Sequence, residues 1–144
     1  MGAAFMAAAV AHGMQLPELV AAAIASVSTT LPDWSEMPFY RDGKRTGSLI
    51  AHRTVTHWPP LWLVGLAVAH HEGGFPGAML VGTAIGALTH IFGDAPNPMG
   101  IPWLLPNKRL RIGKNGWWRS GEHEPFMALL FATVGFATWR VVVT

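Results

Sequence analysis

The sequence predicts an all-α, polytopic membrane protein of four to five short helices, with two basic loops on one side of the bilayer. Three observations carry that expectation. Of 144 residues, 51% are hydrophobic and 12% charged, against about 25% charged in soluble domains; mean hydropathy is +0.31. The apolar residues form discrete runs separated by proline- and glycine-rich polar stretches. Nine of the ten Lys and Arg residues fall within 31–58 and 104–124, the pattern of juxtamembrane loops facing anionic headgroups.

A chain of this length fits one domain, here a single membrane-embedded unit over residues 1–144. There is no cysteine, which excludes disulfides and thiolate zinc sites. Any metal must then be held by His, Asp or Glu, a donor set suited to a catalytic site. The pI near 9.5 also fits a nucleic-acid binder, and charge alone does not separate the two. No basic segment precedes the apolar start, so no separate signal peptide is expected.

In chain order, residues 1–12 (MGAAFMAAAVAH) are small and apolar and predict a short helix. Pro17 suits the first turn of a second, Ala-rich helix over about 17–30. Each is shorter than the roughly 20 residues that span a bilayer unaided, so a helical hairpin is expected, with one interrupted long segment as the alternative. The loop 34–56 is rich in turn formers, including Asp42-Gly43. Pro59-Pro60 opens a third helix, 59–71, and Glu72-Gly73-Gly74 is a tight connection. The strongest helix is 75–94, where Ala78, Gly82, Gly86, His90 and Asp94 recur every four residues. Gly82 and Gly86 form a G-x-x-x-G step that admits a close helix neighbour. Four prolines prevent 95–106 from forming one helix, and Trp103, Leu104 and Leu105 are placed to dip into headgroups. Asn115-Gly116 suggests a hairpin between Arg109–Ile112 and Trp117–Arg119. A last apolar helix covers 125–143, with Arg140 snorkelling at its end.

Connectivity then places the polar residues. The short acidic turn at 72–74 puts both basic loops on the opposite side of the membrane, and positive charge marks that side as cytoplasmic. Asp33, His52, His57, His90 and Asp94 therefore emerge at one face, with Met1 if the first two helices form a hairpin. His90 and Asp94, four apart, share a helix face and form a metal-ligand or general-base pair; the plainer alternative is a buried polar pair. On an ideal helix His52 and His57 would point about 140° apart, so irregular backbone, or one ligand and one supporting group, is expected. Arg53 can hold an anionic oxygen bidentately or simply anchor the loop. Asp33 would complete a mixed N/O shell or cap its turn. Glu122, His123 and Glu124 suit a cap for the last helix. His12, His70 and His71 have no evident partner.

Leu31-Pro32-Asp33, His52-Arg53-Thr54-Val55-Thr56-His57 and His90-Ile91-Phe92-Gly93-Asp94 with Asn97-Pro98-Met99-Gly100-Ile101-Pro102 resemble the YdjM-like family of bacterial inner-membrane proteins, regarded as metal-dependent hydrolases. The match covers roughly residues 17–110. That family is similar in turn to zinc phospholipase C and the single-strand zinc nucleases, which hold three metals. The resemblance implies Asp33, one of His52 and His57, His90 and Asp94 as metal ligands, with Asp94 bridging if two metals bind. The chain departs from the pattern in lacking a histidine ahead of the first apolar run. It also lacks the second acid two residues after Asp33, for which Glu36 is a substitute displaced by one. Trp58 stands where serine is usual, and no second H-x-x-x-D or H-x-x-x-E occurs. One or two metals, or a decayed site, are therefore expected rather than three.

The expected function is phosphoester hydrolysis, on a lipid headgroup or a nucleic acid, by water activated on a divalent metal, zinc first. Its metal ligands are drawn from Asp33, His52, His57, His90 and Asp94, with Asp94 and Arg53 as catalytic residues. Phosphoester chemistry rests on the resemblance. Lys108, Arg109 and Arg111 would gather an anionic substrate. The expected location is the bacterial inner membrane, multi-pass, among membrane lipids, with a homo-oligomer or membrane protein as further partner. The rival is a non-catalytic membrane scaffold with a structural or vestigial ion, which the G-x-x-x-G stripe and seven tryptophans fit equally well.

Overall fold

A computed structural model describes residues 1–105, 107–112 and 124–144, with Glu124 described by its backbone alone. Among these residues the chain forms α1 (Gly2–Gly13), α2 (Glu18–Ser28), α3 (Leu31–Trp34), β1 (Pro38–Arg41), β2 (Lys44–Ser48), a 3-10 turn (Val55–His57), α4 (Pro59–Glu72), α5 (Gly74–Asp94), β3 (Ile101–Pro102), β4 (Arg109–Leu110) and α6 (Glu124–Val143). The fold is mostly helical, but it exceeds the expected four to five helices and adds two small antiparallel hairpins.

The α1–α2 hairpin forms because Gln15, at φ 56, turns the chain, while Leu16 N–H caps α1 on the Ala11 carbonyl. α4 and α5 are joined through Gly73 and Gly74, both at positive φ (64 and 48), a conformation that costs glycine little. The first polar loop is not irregular: β1 pairs with β2 around Asp42-Gly43, whose φ values of 52 and 72 match the positive pair of a type I′ turn. β4 pairs with β3; the hairpin expected between 109–112 and 117–119 falls partly outside the described residues. The proline-broken segment folds back at Gly100, where a Cβ would sit 2.3 Å from the Leu110 carbonyl oxygen. Residues 117–119 lie outside the described residues.

The core is a small-residue interface. Ala7, Ala11, Ala21, Ala25, Ala78 and Val81 are buried together, with Leu16 beside them. α2 runs parallel to α5: an added Cβ on Gly82 would meet Ala21 O at 2.5 Å, and on Gly86 would meet Ala25 O at 2.8 Å. The G-x-x-x-G step is thus a backbone-to-backbone seam. A second seam joins α1 to α6, where a Cβ on Gly135 would meet Gly2 O at 2.5 Å and Phe5 packs edge-on to Phe136 at 5.4 Å. Two helices, Gly74–Asp94 and Pro125–Val143, are long and apolar enough to cross a membrane. Half of the α5 stretch is buried but only 6% of the α6 stretch, so α5 is the central helix and α6 the peripheral one.

The seam predicts an asymmetric response to added methyl groups. Gly86→Val should destabilise the protein by about 1–3 kcal/mol through overpacking, read as a lowered melting temperature in detergent. Gly13→Ala, where nothing lies within 4 Å of the new Cβ, should leave it unchanged.

Candidate functional site

The α2–α5 seam ends where the polar residues begin. One turn beyond Gly86 the same stripe presents His90, then Asp94, while the chain leaving α2 enters α3 and presents Asp33 opposite. Asp33 Oδ2 lies 3.5 Å from His90 Nε2. Asp33 Oδ1 lies 3.4 Å from His57 Nε2. Asp94 Oδ2 lies 3.6 Å from both imidazoles. A tetrahedral zinc with bonds of about 2.0–2.1 Å separates its ligands by about 3.3 Å, so four side chains from three elements already stand at near-ligand spacing.

The unsatisfied atoms point to the same place. Asp33 Oδ1, His57 Nε2 and His90 Nε2 are buried without a hydrogen-bond partner, as is Arg53 Nε. Buried polar atoms are normally paired, and here three orphans face one another with a donor set suited to a divalent metal. Asp33, His57 and His90 thus form one possible ligand group; Asp33, Glu36 and His52 form a second that shares Asp33. The residues fit a metal.

His57 is positioned by its neighbours. Trp58 is extended ahead of Pro59-Pro60, as residues before proline tend to be, which closes the preceding 3-10 turn. Trp62 Nε1–H donates to the Thr56 carbonyl at 2.9 Å and pins that turn onto α4. His57 is fully buried, with Nδ1 3.2 Å from Glu36 Oε1. A proton on Nδ1 is donated to Thr56 Oγ1 at 3.2 Å, whose own hydroxyl donates to Glu36 Oε1. This relay to a carboxylate leaves the Nε2 lone pair facing the site, as second partners do for metal-ligating histidines.

Glu36 organises the loop. It is fully buried. It accepts hydrogen bonds from the Arg45 guanidinium, from Arg53 N–H at 2.7 Å and from Thr56 Oγ1 at 3.3 Å, and it meets His52 Nδ1 at 2.8 Å. The bond from Arg53 holds that residue at φ 55, a left-handed conformation uncommon for non-glycine residues. From there Arg53 Nη2 reaches Asp94 Oδ1 at 2.7 Å, and Asn97 Nδ2 donates to the same oxygen at 2.9 Å. Burial works to raise the Glu36 carboxyl, but Arg45, the Arg53 amide and His52 outweigh it and hold it below the usual range. For Asp33, burial is likewise outweighed by His57, His90 and His52, and its carboxyl also stays low. Both are poised as anions.

A cleft of about 640 Å³ opens onto the site, lined by Asp33, Arg45, His52, Arg53, His90 and Asp94 on its polar side and Met127 and Ala128 on the other. The five expected ligand candidates, with Arg53, are brought together at one end of the bundle. The stretch 49–54 is not helical, which is how His52 and His57 both come to face Asp33. Arg53 engages Asp94 rather than standing free. Glu36, considered from the sequence only as a displaced substitute for a missing acid, joins the site, as do Thr56 and Asn97, which were not singled out; the three-residue step from Asp33 to Glu36 returns to one helix face. His12 is not without a partner: its Nδ1 lies 2.8 Å from Glu18 Oε1, away from the site. His70 and His71 are exposed on the last turn of α4. Lys108, Arg109 and Arg111 do not line the cleft. Glu122 and His123 lie outside the described residues, as does the side chain of Glu124.

A family model described as YdjM inner membrane protein matches residues 1–143. No curated protein matches, and no solved structure matches.

Because Glu36 accepts from several donors in a buried position, Glu36→Gln should destabilise the fold by about 1–3 kcal/mol. Thermal unfolding in detergent should show the loss. It should exceed that of Asp42→Asn on the exposed hairpin turn, which should be near neutral.

Proposed function

We propose, for a chain that belongs to the YdjM inner membrane protein family, that the cluster at the bundle end holds a divalent metal, zinc first among candidates, and hydrolyses a phosphoester. The observation that carries this reading is the convergence of three orphaned buried atoms, Asp33 Oδ1, His57 Nε2 and His90 Nε2, with Asp94 Oδ2 at 3.6 Å from both imidazoles. Asp33, His57, His90 and Asp94 would hold the ion. Asp33, Glu36 and His52 would offer a second position if Arg45 released Glu36. Bound there, such an ion supplies Lewis acidity toward a phosphoryl oxygen and a water of lowered pKa.

The chain's own residues have separate tasks. Arg53 neutralises Asp94 through Nη2 and keeps Nε free to bind an anionic oxygen of the substrate. Asn97 fixes the Asp94 carboxylate through Oδ1 and so aims Oδ2 at the histidines. Glu36 orients His57 through Thr56, whose hydroxyl donates to Glu36 Oε1 and accepts from His57 Nδ1. Two carboxylates beside histidines, with one arginine turned toward the cleft, attract a cation first and an anion second, the order a metal-dependent phosphoester hydrolase needs. The two helices of membrane-spanning length support a multi-pass arrangement, and the positive-inside rule supports a cytoplasmic site.

The test is turnover of a soluble chromogenic phosphodiester by detergent-purified protein supplied with zinc or manganese. The wild type should turn over. His57→Ala and Asp33→Asn should be inactive while remaining folded and monodisperse. Asn97→Ala should keep activity but need about 10–100-fold more metal to saturate, as expected on losing a partner that orients a ligand. A folded wild type with no metal-stimulated turnover on any phosphoester would contradict the reading and favour a scaffold role.

A further inference from the structure

The cleft has two chemically different walls, and the second one names the substrate. Its polar wall is the cluster described above. Met127 and Ala128 of α6 and Gly93 of α5 supply its apolar lining. α6 is the helix with only 6% of its membrane-length stretch buried. It packs along α1 and touches α5 only sparsely. At Gly93 an added Cβ would lie 3.8 Å from the Phe131 ring, in van der Waals contact, so α6 meets α5 here through Phe131. The cleft is thus bordered by the hydrocarbon-facing helix.

Depth points the same way. α5 is 21 residues long, about 30 Å at 1.5 Å per residue, which is the thickness of a bilayer's hydrocarbon core. His90 and Asp94 lie on its last two turns, so the site sits at the level of lipid phosphates. The cations argue against a polynucleotide. Tight nucleic-acid binding needs a track of several Lys or Arg along the backbone. Among the described residues, only Arg45 and Arg53 line the cleft. Arg45 is tied to Glu36 and Arg53 to Asp94, so these two do not form such a track. One phosphate beside Arg53, in a cleft also lined by Met127 and Ala128 of the exposed α6, suits a phospholipid.

We infer that the substrate is a bilayer lipid, whose phosphate meets Arg53 and whose acyl chain lies along α6 at Met127 and Ala128. The inference rests on the phosphoester reading for the chemistry but not for the binding, and the experiment separates them. Full-length protein is reconstituted in vesicles with a trace of phosphatidylglycerol carrying a diazirine in its acyl chain, or of the matching diacylglycerol probe. After irradiation the labelled residues are mapped by mass spectrometry. The phospholipid probe should label 127–131 about tenfold more than the diacylglycerol, the effect of one charge-assisted contact. Ala128→Trp, at an exposed position, should abolish that excess without lowering thermal stability. Equal labelling by both probes, or an excess that Ala128→Trp leaves intact, would overturn the proposal, and so would displacement of the phospholipid probe by a single-stranded oligonucleotide. Labelling needs no turnover, so the lipid site can stand if hydrolysis fails. Turnover of a soluble phosphodiester with equal labelling would keep the hydrolase and remove the lipid.

Discussion

The structure depends on two helices lying close enough for backbone to touch side chain and backbone without an intervening side chain. Gly82 and Gly86 have room for nothing larger than hydrogen against Ala21 and Ala25, which sets the separation and register of α2 and α5. That register is then inherited by the polar residues. Asp33 follows α2 by one short helical turn, and His90 and Asp94 continue the α5 stripe, so a packing constraint in the apolar part becomes a ligand spacing at the polar end. A wider interface would separate Asp33 from His90 by more than a metal can bridge.

Glu36 does for the loop what the glycine seam does for the helices. An isolated two-stranded hairpin is marginal in water, and β1–β2 has little else to lean on. The buried carboxylate gathers Arg45 from β2, the backbone of Arg53 and the side chains of Thr56 and His52. It thereby holds His57 against Asp33 and turns Arg53 toward Asp94. Removing water from a carboxylate is costly unless it is paired and hydrogen-bonded, so the site is anchored most firmly where its desolvation is greatest.

Much of this was legible in the chain. The four-residue repeat through Ala78, Gly82, Gly86, His90 and Asp94 gave both the seam and the polar pair, because helical periodicity survives without neighbours. Connectivity alone brought Asp33, His52 and His57 to the same end. What the sequence hid depends on tertiary pairing. β1–β2 carried a visible Asp42-Gly43 signal, but its strands lack the apolar alternation that marks a half-buried sheet. The pairing of β4 with β3 was not visible, because a two-residue strand has no periodicity to read and the fold-back at Gly100 brings the two together. Glu36 read as a displaced substitute for an absent acid; its burial followed only from four donors converging on it. The choice between His52 and His57 stayed open until the non-helical path of 49–54 placed both around Asp33.

We propose that Asp33, His57, His90 and Asp94 form one metal site. Metal content, measured by mass spectrometry on protein purified without chelator, tests it most directly when His57→Ala and His52→Ala are run beside the wild type. Bound zinc is expected in the wild type, retained in His52→Ala at the Asp33–His57–His90 position and lost in His57→Ala. A folded wild type that binds neither zinc nor manganese when supplied, or a His57→Ala variant that keeps its full metal content, would contradict it.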